Sequence, residues 1–350
     1  MLSNSANLGI VPQTECFDRD IANSDNTDGY YVIHTGDFVY NPRKSTVAPF
    51  GPVNIYNGKK VGIISPLYLC FRVSGIDADF LNFRFKSNCW YRFMYENGDS
   101  GARHDRVSIK DDIFFSMPVS LPSRDEQKRI AEFLHLLDKR IQIQNKTIED
   151  LKKLKSALCE QAYQSQENID RPLSELIRQV SGRNKGNLIN RVLSVSNKLG
   201  FIEQSEQFED RAIASDDTSN YKIVSPNDFA YNPARINVGS IARLKDGNCG
   251  IVSPMYICFR TDPSILPEYL EFFFNTRYFQ TEVQKRLEGS VRLCLSFDGL
   301  CDIPIPLPTI EIQKSIKNRL IAVTRKIEME SRICELLQNQ KTFLLNNLFV

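Results

Sequence analysis

The side chains in this sequence that best suit chemistry are hydrogen-bond donors and cations rather than nucleophiles or metal ligands. Arg43 and Lys44 follow Tyr40-Asn41-Pro42, and Arg235 and Asn237 follow Tyr231-Asn232-Pro233. Further basic residues gather at Lys59-Lys60, Arg103 and Arg106, and at Arg183, Lys185, Arg243, Lys245 and Arg292. Lys and Arg neutralise phosphates, while Arg and Asn can pair bidentately with guanine and adenine edges. These residues are therefore the candidate contacts of a duplex-DNA surface. For each one, a solvated surface charge is the competing explanation. Arg72 and Arg260 sit inside apolar runs and are expected to be structural.

The machinery of catalysis is not signalled. The chain has no Gly-x-Gly-x-x-Gly and no Gly-x-x-x-x-Gly-Lys-Ser/Thr, so neither a dinucleotide fold nor a P-loop is indicated. Asn41-Pro42 and Asn232-Pro233 lack the second proline and the aromatic residue of an amino-methyltransferase motif, and they read as turns. Three histidines and nine scattered cysteines, without a Cys-x-x-Cys, give no metal-ligand spacing. The cysteines mostly fall in apolar runs, which suits a reduced, cytoplasmic protein. No run approaches the ~18 apolar residues of a membrane span.

The chain of 350 residues carries 44 Lys and Arg against 42 Asp and Glu, a net charge of +2. That average hides segregation. Residues 1–37 hold one basic and six acidic side chains, whereas 38–120 hold eleven basic and seven acidic. The stretch Glu203 to Asp217 is again acidic, and basic residues follow it. DNA binding needs a local basic surface, not a basic protein.

What must position these residues is a unit written twice. Residues 2–42 align without a gap on 193–233, with 17 of 41 positions identical. The offset of 191 then falls to 188, where Gly62 to Arg72 meets Gly250 to Arg260, and to 186, where Arg106 meets Arg292. A period this long means two homologous globular modules, not a solenoid. The second module begins near Arg171, so the first is expected to lack a counterpart to Arg171–Val192. Apolar β-rich segments (Gly62 to Val73, Gly250 to Thr261) predict strands, and Ala78 to Met94 and Pro267 to Leu287 predict helices. Asn54 to Lys60 and Leu244 to Cys249 read as hairpin loops. Each module is thus α/β or α+β. The aromatic residues crowding the module helices, Phe83 and Phe85 or Phe272 and Phe273 among them, are expected to pack a core or receive the far end of the other module's helix.

Each module ends in Leu-Pro, followed by ~40 residues without Pro or Gly whose apolar positions alternate in steps of three and four. The seam runs through Leu137, Ile141, Gln144, Ile148, Leu151 and Lys155 in the first helix. In the second it runs through Val323, Ile327, Glu330, Cys334, Leu337, Lys341 and Leu344. It predicts an antiparallel coiled coil about a pseudo-twofold axis. The shared polar interruptions set an expected register, Gln144 facing Lys341 and Glu330 facing Lys155, unless the lysines merely snorkel from the edge of a wide stripe.

The order module, helix, module, helix resembles the specificity (S) subunit of type I restriction–modification systems. The likeness is carried by Leu121-Pro122-Ser123-Arg124-Asp125-Glu126-Gln127-Lys128-Arg129-Ile130, by its weaker copy Leu307 to Ile316, and by the Gly-Asp-Phe and Ser-Pro-x-Tyr blocks. It implies target-recognition domains at 1–120 and 169–306 and long helices at 121–168 and 307–350. It also implies double-stranded DNA, two methyltransferase subunits and restriction (translocase) subunits as partners. The helix tips Asp125-Glu126-Gln127 and Glu311-Ile312-Gln313 become candidate methyltransferase contacts, unless they are simple caps. S-adenosylmethionine, ATP and Mg would serve those partners, leaving this chain non-catalytic and without a cofactor or metal. The competing class is a protein-binding adaptor built from the same two modules.

Overall fold

The computed structural model describes residues 1–16, 27–100, 105–164, 169–197, 199–204, 217–290 and 292–349. Arg103, part of the N-terminal acidic stretch (Asp18, Asp20, Asp25) and most of Glu203 to Asp217 lie outside the described residues. The fold is mixed α/β, and the chain divides into two compact units. The first comprises Met1–Lys146 with Ser331–Val350; the second comprises Thr147–Glu330.

Among the described residues the first unit has two small sheets and a two-stranded pairing of Asp99–Ser100 with Val107–Ser108. One is ordered Gly9–Pro12, Leu2–Ser5, Gly62–Ile64, Tyr31–Ile33, and Leu2–Ser5 runs parallel to Gly62–Ile64. The other is ordered Val53–Ile55, Phe38–Tyr40, Leu69–Phe71. The second unit repeats both, as Gly200–Glu203, Val192–Ser196, Gly250–Val252, Lys222–Val224, and as Ile177–Val180, Ile257–Thr261, Phe229–Tyr231, Ile241–Arg243. The latter sheet has gained a fourth strand, Ile177–Val180, paired antiparallel with Ile257–Thr261. Ile169–Pro172 also pairs with Pro304–Leu307. Gly62 and Gly250 permit the parallel pairing, because a Cβ on either would lie 2.2–2.3 Å from a methyl of Leu2 or Leu193.

Three expectations for local structure need correction. The apolar runs from Gly62 and Gly250 are not single strands. Pro66 and Pro254 interrupt the ladder, and turns closed by Tyr68 N–H to Ser65 C=O and Tyr256 N–H to Ser253 C=O send the chain into the other sheet. Asn54 and Ile55 belong to a strand rather than a loop, since Val53–Ile55 pairs with Phe38–Tyr40. Each module helix is broken in two: α1 (Ala78–Lys86) and α2 (Tyr91–Asn97), then, after the helix α3 (Arg124–Ala162), α4 (Pro267–Phe273) and α5 (Arg277–Lys285). Ser87 adopts an extended conformation, and the Trp90 indole N–H donates to the Phe85 and Ser87 carbonyls. In the second module Thr276 caps α5 by accepting the Phe279 N–H. A polar cap thus restarts α5, whereas α2 begins after Trp90 without a side-chain cap.

The long helices are α3 and α6 (Ile310–Leu348), each of 39 residues and so about 58 Å long. Within the first unit the start of α3 meets the end of α6. Phe80, Phe83, Ala131, Leu134, Leu345 and Phe349 form one buried cluster. Asp138 accepts from Lys341, and the Cys334 thiol donates to Asn145 Oδ1 at 3.2 Å. Numbers rising along one helix as they fall along the other make the pair antiparallel. The expected register is not the observed one, because Lys341 finds a carboxylate six residues before Gln144. Within the second unit the end of α3 packs on module helices as expected. Cys159 Sγ donates to Phe272 C=O at 3.2 Å, Tyr163 OH to Tyr269 C=O at 2.5 Å, and Glu160 accepts from Arg277 N–H at 2.8 Å. Lys155 lies over the Phe272 ring with Glu328 nearby, rather than against Glu330, whose carboxylate pairs with Lys326. The seam residues are buried or half-buried throughout.

Candidate nucleic-acid interface

Each module exposes a loop held in the same way. After the central strand Phe38–Tyr40, Asn41 Oδ1 accepts the Arg43 N–H at 3.0 Å; after Phe229–Tyr231, Asn232 Oδ1 accepts the Ala234 N–H at 3.0 Å. An Asn side chain that mimics a backbone turn explains why Asn-Pro recurs at this place. The loop is then tied to a later segment of its own module, by Val107 N–H to Pro42 C=O at 2.9 Å and Leu295 N–H to Pro233 C=O at 3.1 Å. Asn-Pro therefore serves as the loop anchor, consistent with its reading as a turn.

In the first unit this anchoring gathers Arg43, Lys44 and Arg106. Arg43 and Arg106 form an isolated antiparallel bridge, and Lys44 N–H donates to Asp105 C=O at 2.8 Å. The Arg43 guanidinium remains largely exposed, 3.6 Å from the Asp105 carboxylate. Arg106 Nε is buried and has no partner among the described residues. Lys59 and Lys60 stand exposed on the loop after Val53–Ile55, where the Tyr56 hydroxyl fixes the Lys60 carbonyl at 2.7 Å.

In the second unit Arg235 and Asn237 are exposed on a 3₁₀ turn that ends at Gly239, whose φ of 88° suits glycine. Asn237, Lys245, Lys155 and Arg325 line a cleft of about 950 Å³. Burial, and after it the neighbouring Lys245 charge, push the Lys155 ammonium below its ordinary value. Glu271, Glu268 and Glu328 also line the cleft. Arg243 is withdrawn from the surface: its side chain is 10% exposed and meets Glu271 at 3.0 Å, Glu268 at 3.7 Å and Asn227 at 2.6 Å. It belongs to the ion-pair network of the fold. Lys245 pairs with Glu271 at 2.7 Å yet stays exposed. Arg183 donates to Asn220, while Lys185 and Arg292 are exposed. The candidates thus form two clusters, with Lys59-Lys60, Arg183, Lys185 and Arg292 on separate loops.

The structural reading of Arg72 and Arg260 holds. Arg72 Nε donates to Asp37 at 2.7 Å and Arg260 donates to Asp228 at 2.5 and 2.9 Å. The second carboxylate oxygen accepts the His34 or Ser225 N–H. Burial acts to raise the Asp37 pKa, but the Arg72 and His34 donors outweigh it and hold the carboxyl below its ordinary value. The Gly-Asp-Phe block is thereby explained as a carboxylate brace on the neighbouring strand.

Gln127 and Gln313 are likewise structural. Gln127 is 3% exposed, and it accepts the Asp77 N–H at 2.9 Å while donating to Pro122 C=O at 2.9 Å. Gln313 is fully buried, accepts the Leu266 N–H and donates to Ser264 and Pro308 carbonyls. The glutamine of each helix opening therefore fastens the long helix to its module.

Sequence reasoning missed two sets of residues. Lys155 and Arg325 enter this cleft from the long helices, visible in sequence only as seam and surface positions. Apolar side chains also remain exposed on the outer faces of the helices, among them Phe133, Leu136, Leu336 and Phe343 in the first unit. They fall off the heptad seam, which is the available signal. Among the described residues no group of three or more His, Cys, Asp and Glu could hold a metal ion, and no helix is long and apolar enough to cross a membrane.

Comparison with known proteins agrees with the resemblance read from the sequence. Residues 21–153 match the type I restriction modification DNA specificity domain. The fold is similar to the HsdS subunit from Thermoanaerobacter tengcongensis, at 17% identity and a TM-score of 0.52 over 91% of this chain and 81% of that one. It is also similar to a chain of a type I R-M system described for complex assembly and conformational transition, at 15% identity and a TM-score of 0.56 over 90% and 81%. A third likeness is to the type I restriction-modification S subunit from M. genitalium, at 14% identity, a TM-score of 0.50 and coverage of 95% and 87%. No curated protein sequence matches the chain.

Proposed function

We propose that this chain, similar over residues 21–153 to a type I restriction modification DNA specificity domain, is the DNA-specificity subunit of such a system. In this reading each module reads one half of a bipartite, asymmetric site in double-stranded DNA. The functional divisions are 1–120, 121–168, 169–306 and 307–350. The two long helices set the spacer and carry two methyltransferase subunits, and restriction (translocase) subunits join for cleavage. S-adenosylmethionine, ATP and Mg act in those partners, and the complex works in the cytoplasm.

The observation that carries the reading is the duplicated exposed loop. The same Asn turn presents Arg43 and Lys44 in one module and Arg235 and Asn237 in the other, each on its own sheet. Two like readers suit a two-part target, and Arg and Asn side chains suit base edges. Exposed Phe133, Leu136, Leu336 and Phe343 suit protein docking along the helices.

The test is duplex binding by the chain with its methyltransferase partner, measured against salt. A recognition subunit gives an affinity that falls steeply, with a slope of about −0.9 per neutralised phosphate. An adaptor gives no such slope, which would refute the proposal. Methylome sequencing of cells carrying the system then gives the two half-sites. Shortening both helices by the same whole number of turns should change the spacer and leave the half-sites intact.

A further inference from the structure

The two modules differ at one edge. In the second, Leu173–Glu175 packs on the helix Phe297–Cys301, and Ile177–Val180 pairs with Ile257–Thr261 in the register Arg178 to Arg260 and Val180 to Cys258. Leu173, Leu176 and Ile177 are buried there, and Cys258 and Phe259 are fully covered. In the first module the matching strand, Leu69–Phe71, pairs only with Phe38–Tyr40 among the described residues. Cys70 and Phe71, which match Cys258 and Phe259, are only half-buried.

Beside this edge lies a groove of about 850 Å³ lined by Leu69–Arg72, by Tyr31, Val32 and Leu67, and by Phe115. The last four are exposed at 48, 58, 59 and 56%. Phe115 matches Cys301, on the helix that Leu173–Glu175 packs against in the second module. An open edge strand presents unpaired N–H and C=O groups, and its apolar flank adds side-chain pockets; together they fit an added strand.

We propose that the first module takes up an extended strand from a partner polypeptide, which pairs antiparallel with Leu69–Val73. The second module states the chemistry required of it: apolar anchors spaced as Leu173, Leu176, Ile177 and Val180, the first two reaching Phe115 and the rest lying along the strand. Because both modules share one fold, the segment that closes the second is a fair probe for the first. This inference rests on the comparison of the two modules and is independent of the proposed DNA role.

The experiment uses the full chain and a synthetic peptide of residues 171–182. Saturable one-to-one binding is expected, with amide exchange at residues 69–73 slowed about tenfold or more on binding and that at 257–261 unchanged. A peptide with Asp at the positions of Leu173 and Leu176 should bind at least about tenfold more weakly, and so should the native peptide to Phe115→Asp. Absence of saturable binding overturns the proposal. So does binding indifferent to both changes, or slowed exchange elsewhere than 69–73. Amides 69–73 that already exchange as slowly as 257–261 in the free protein overturn it too.

Discussion

Gln127 accepts the backbone N–H of Asp77 at 2.9 Å, and Asp77 in turn caps α1 by accepting the Phe80 N–H at 3.0 Å. One side chain at the start of the long helix thus sets the start of a module helix fifty residues earlier. Gln127→Ala would leave the Asp77 N–H and the Pro122 carbonyl buried without partners, at about 2–4 kcal/mol in total. The melting temperature should fall by roughly 5–15 °C. Gln313→Ala should act similarly through Leu266 and Pro308, as differential scanning calorimetry would show.

The partly buried pair Asp138–Lys341 fixes the helix register within the first unit. A double-mutant cycle with Asp138→Asn and Lys341→Gln should give a coupling of about 0.5–1.5 kcal/mol. A cycle between Gln144→Ala and Lys341→Gln should give a coupling near zero. Coupling confined to the second pair would restore the register expected from the seam alone.

The Asp37–Arg72 brace makes a pH dependence with a definite sign. The folded carboxyl titrates below its ordinary value, so protons bind the unfolded chain more readily. The stabilisation is therefore complete above the unfolded pKa of about 3.9 and is lost as pH falls through the lower folded value. Arg72→Ala removes the donor that does most to lower the pKa, and Asp37 should then titrate higher than in the parent protein. Carboxyl NMR titration of both proteins measures the change directly.

Arg235→Ala should weaken binding through one half-site only, leaving the other half-site sequence unchanged. If the guanidinium pairs bidentately with a base, the loss is about 1–3 kcal/mol; if it holds a phosphate, the salt slope falls by about 0.9. Arg43→Ala should do the same at the other half-site. Arg243→Ala should instead lower the melting temperature, because its guanidinium bonds Glu271 and Asn227 inside the fold. Competition assays with mixed half-sites check all three.

Much of this was legible from residue patterns, and the gaps have physical causes. Leu-Pro followed by a heptad pattern free of Pro and Gly located both long helices, and the repeat located the matched strands. Register was not legible: an apolar seam tolerates sliding, and the flexible Lys341 reaches Asp138, which lies off the seam. Arg243 looked like a loop cation because the glutamates that engage it, Glu268 and Glu271, lie on a helix some 25 residues later. The role of Gln127 was hidden for the same reason, since its partner Asp77 is made only by tertiary packing.

The first unit is closed by residues from both sides of the second in sequence: Phe349 packs against Phe80 at a ring separation of 5.1 Å, while residues 147–330 form the other unit. On a ribosome the two therefore mature in the reverse of their genetic order. The second unit is a continuous stretch and can close once residue 330 has emerged. The first must wait, with Phe80 and Leu134 uncovered, until translation has passed residue 349. Its exposure time to chaperones and proteases is set by how long the later unit takes to be made.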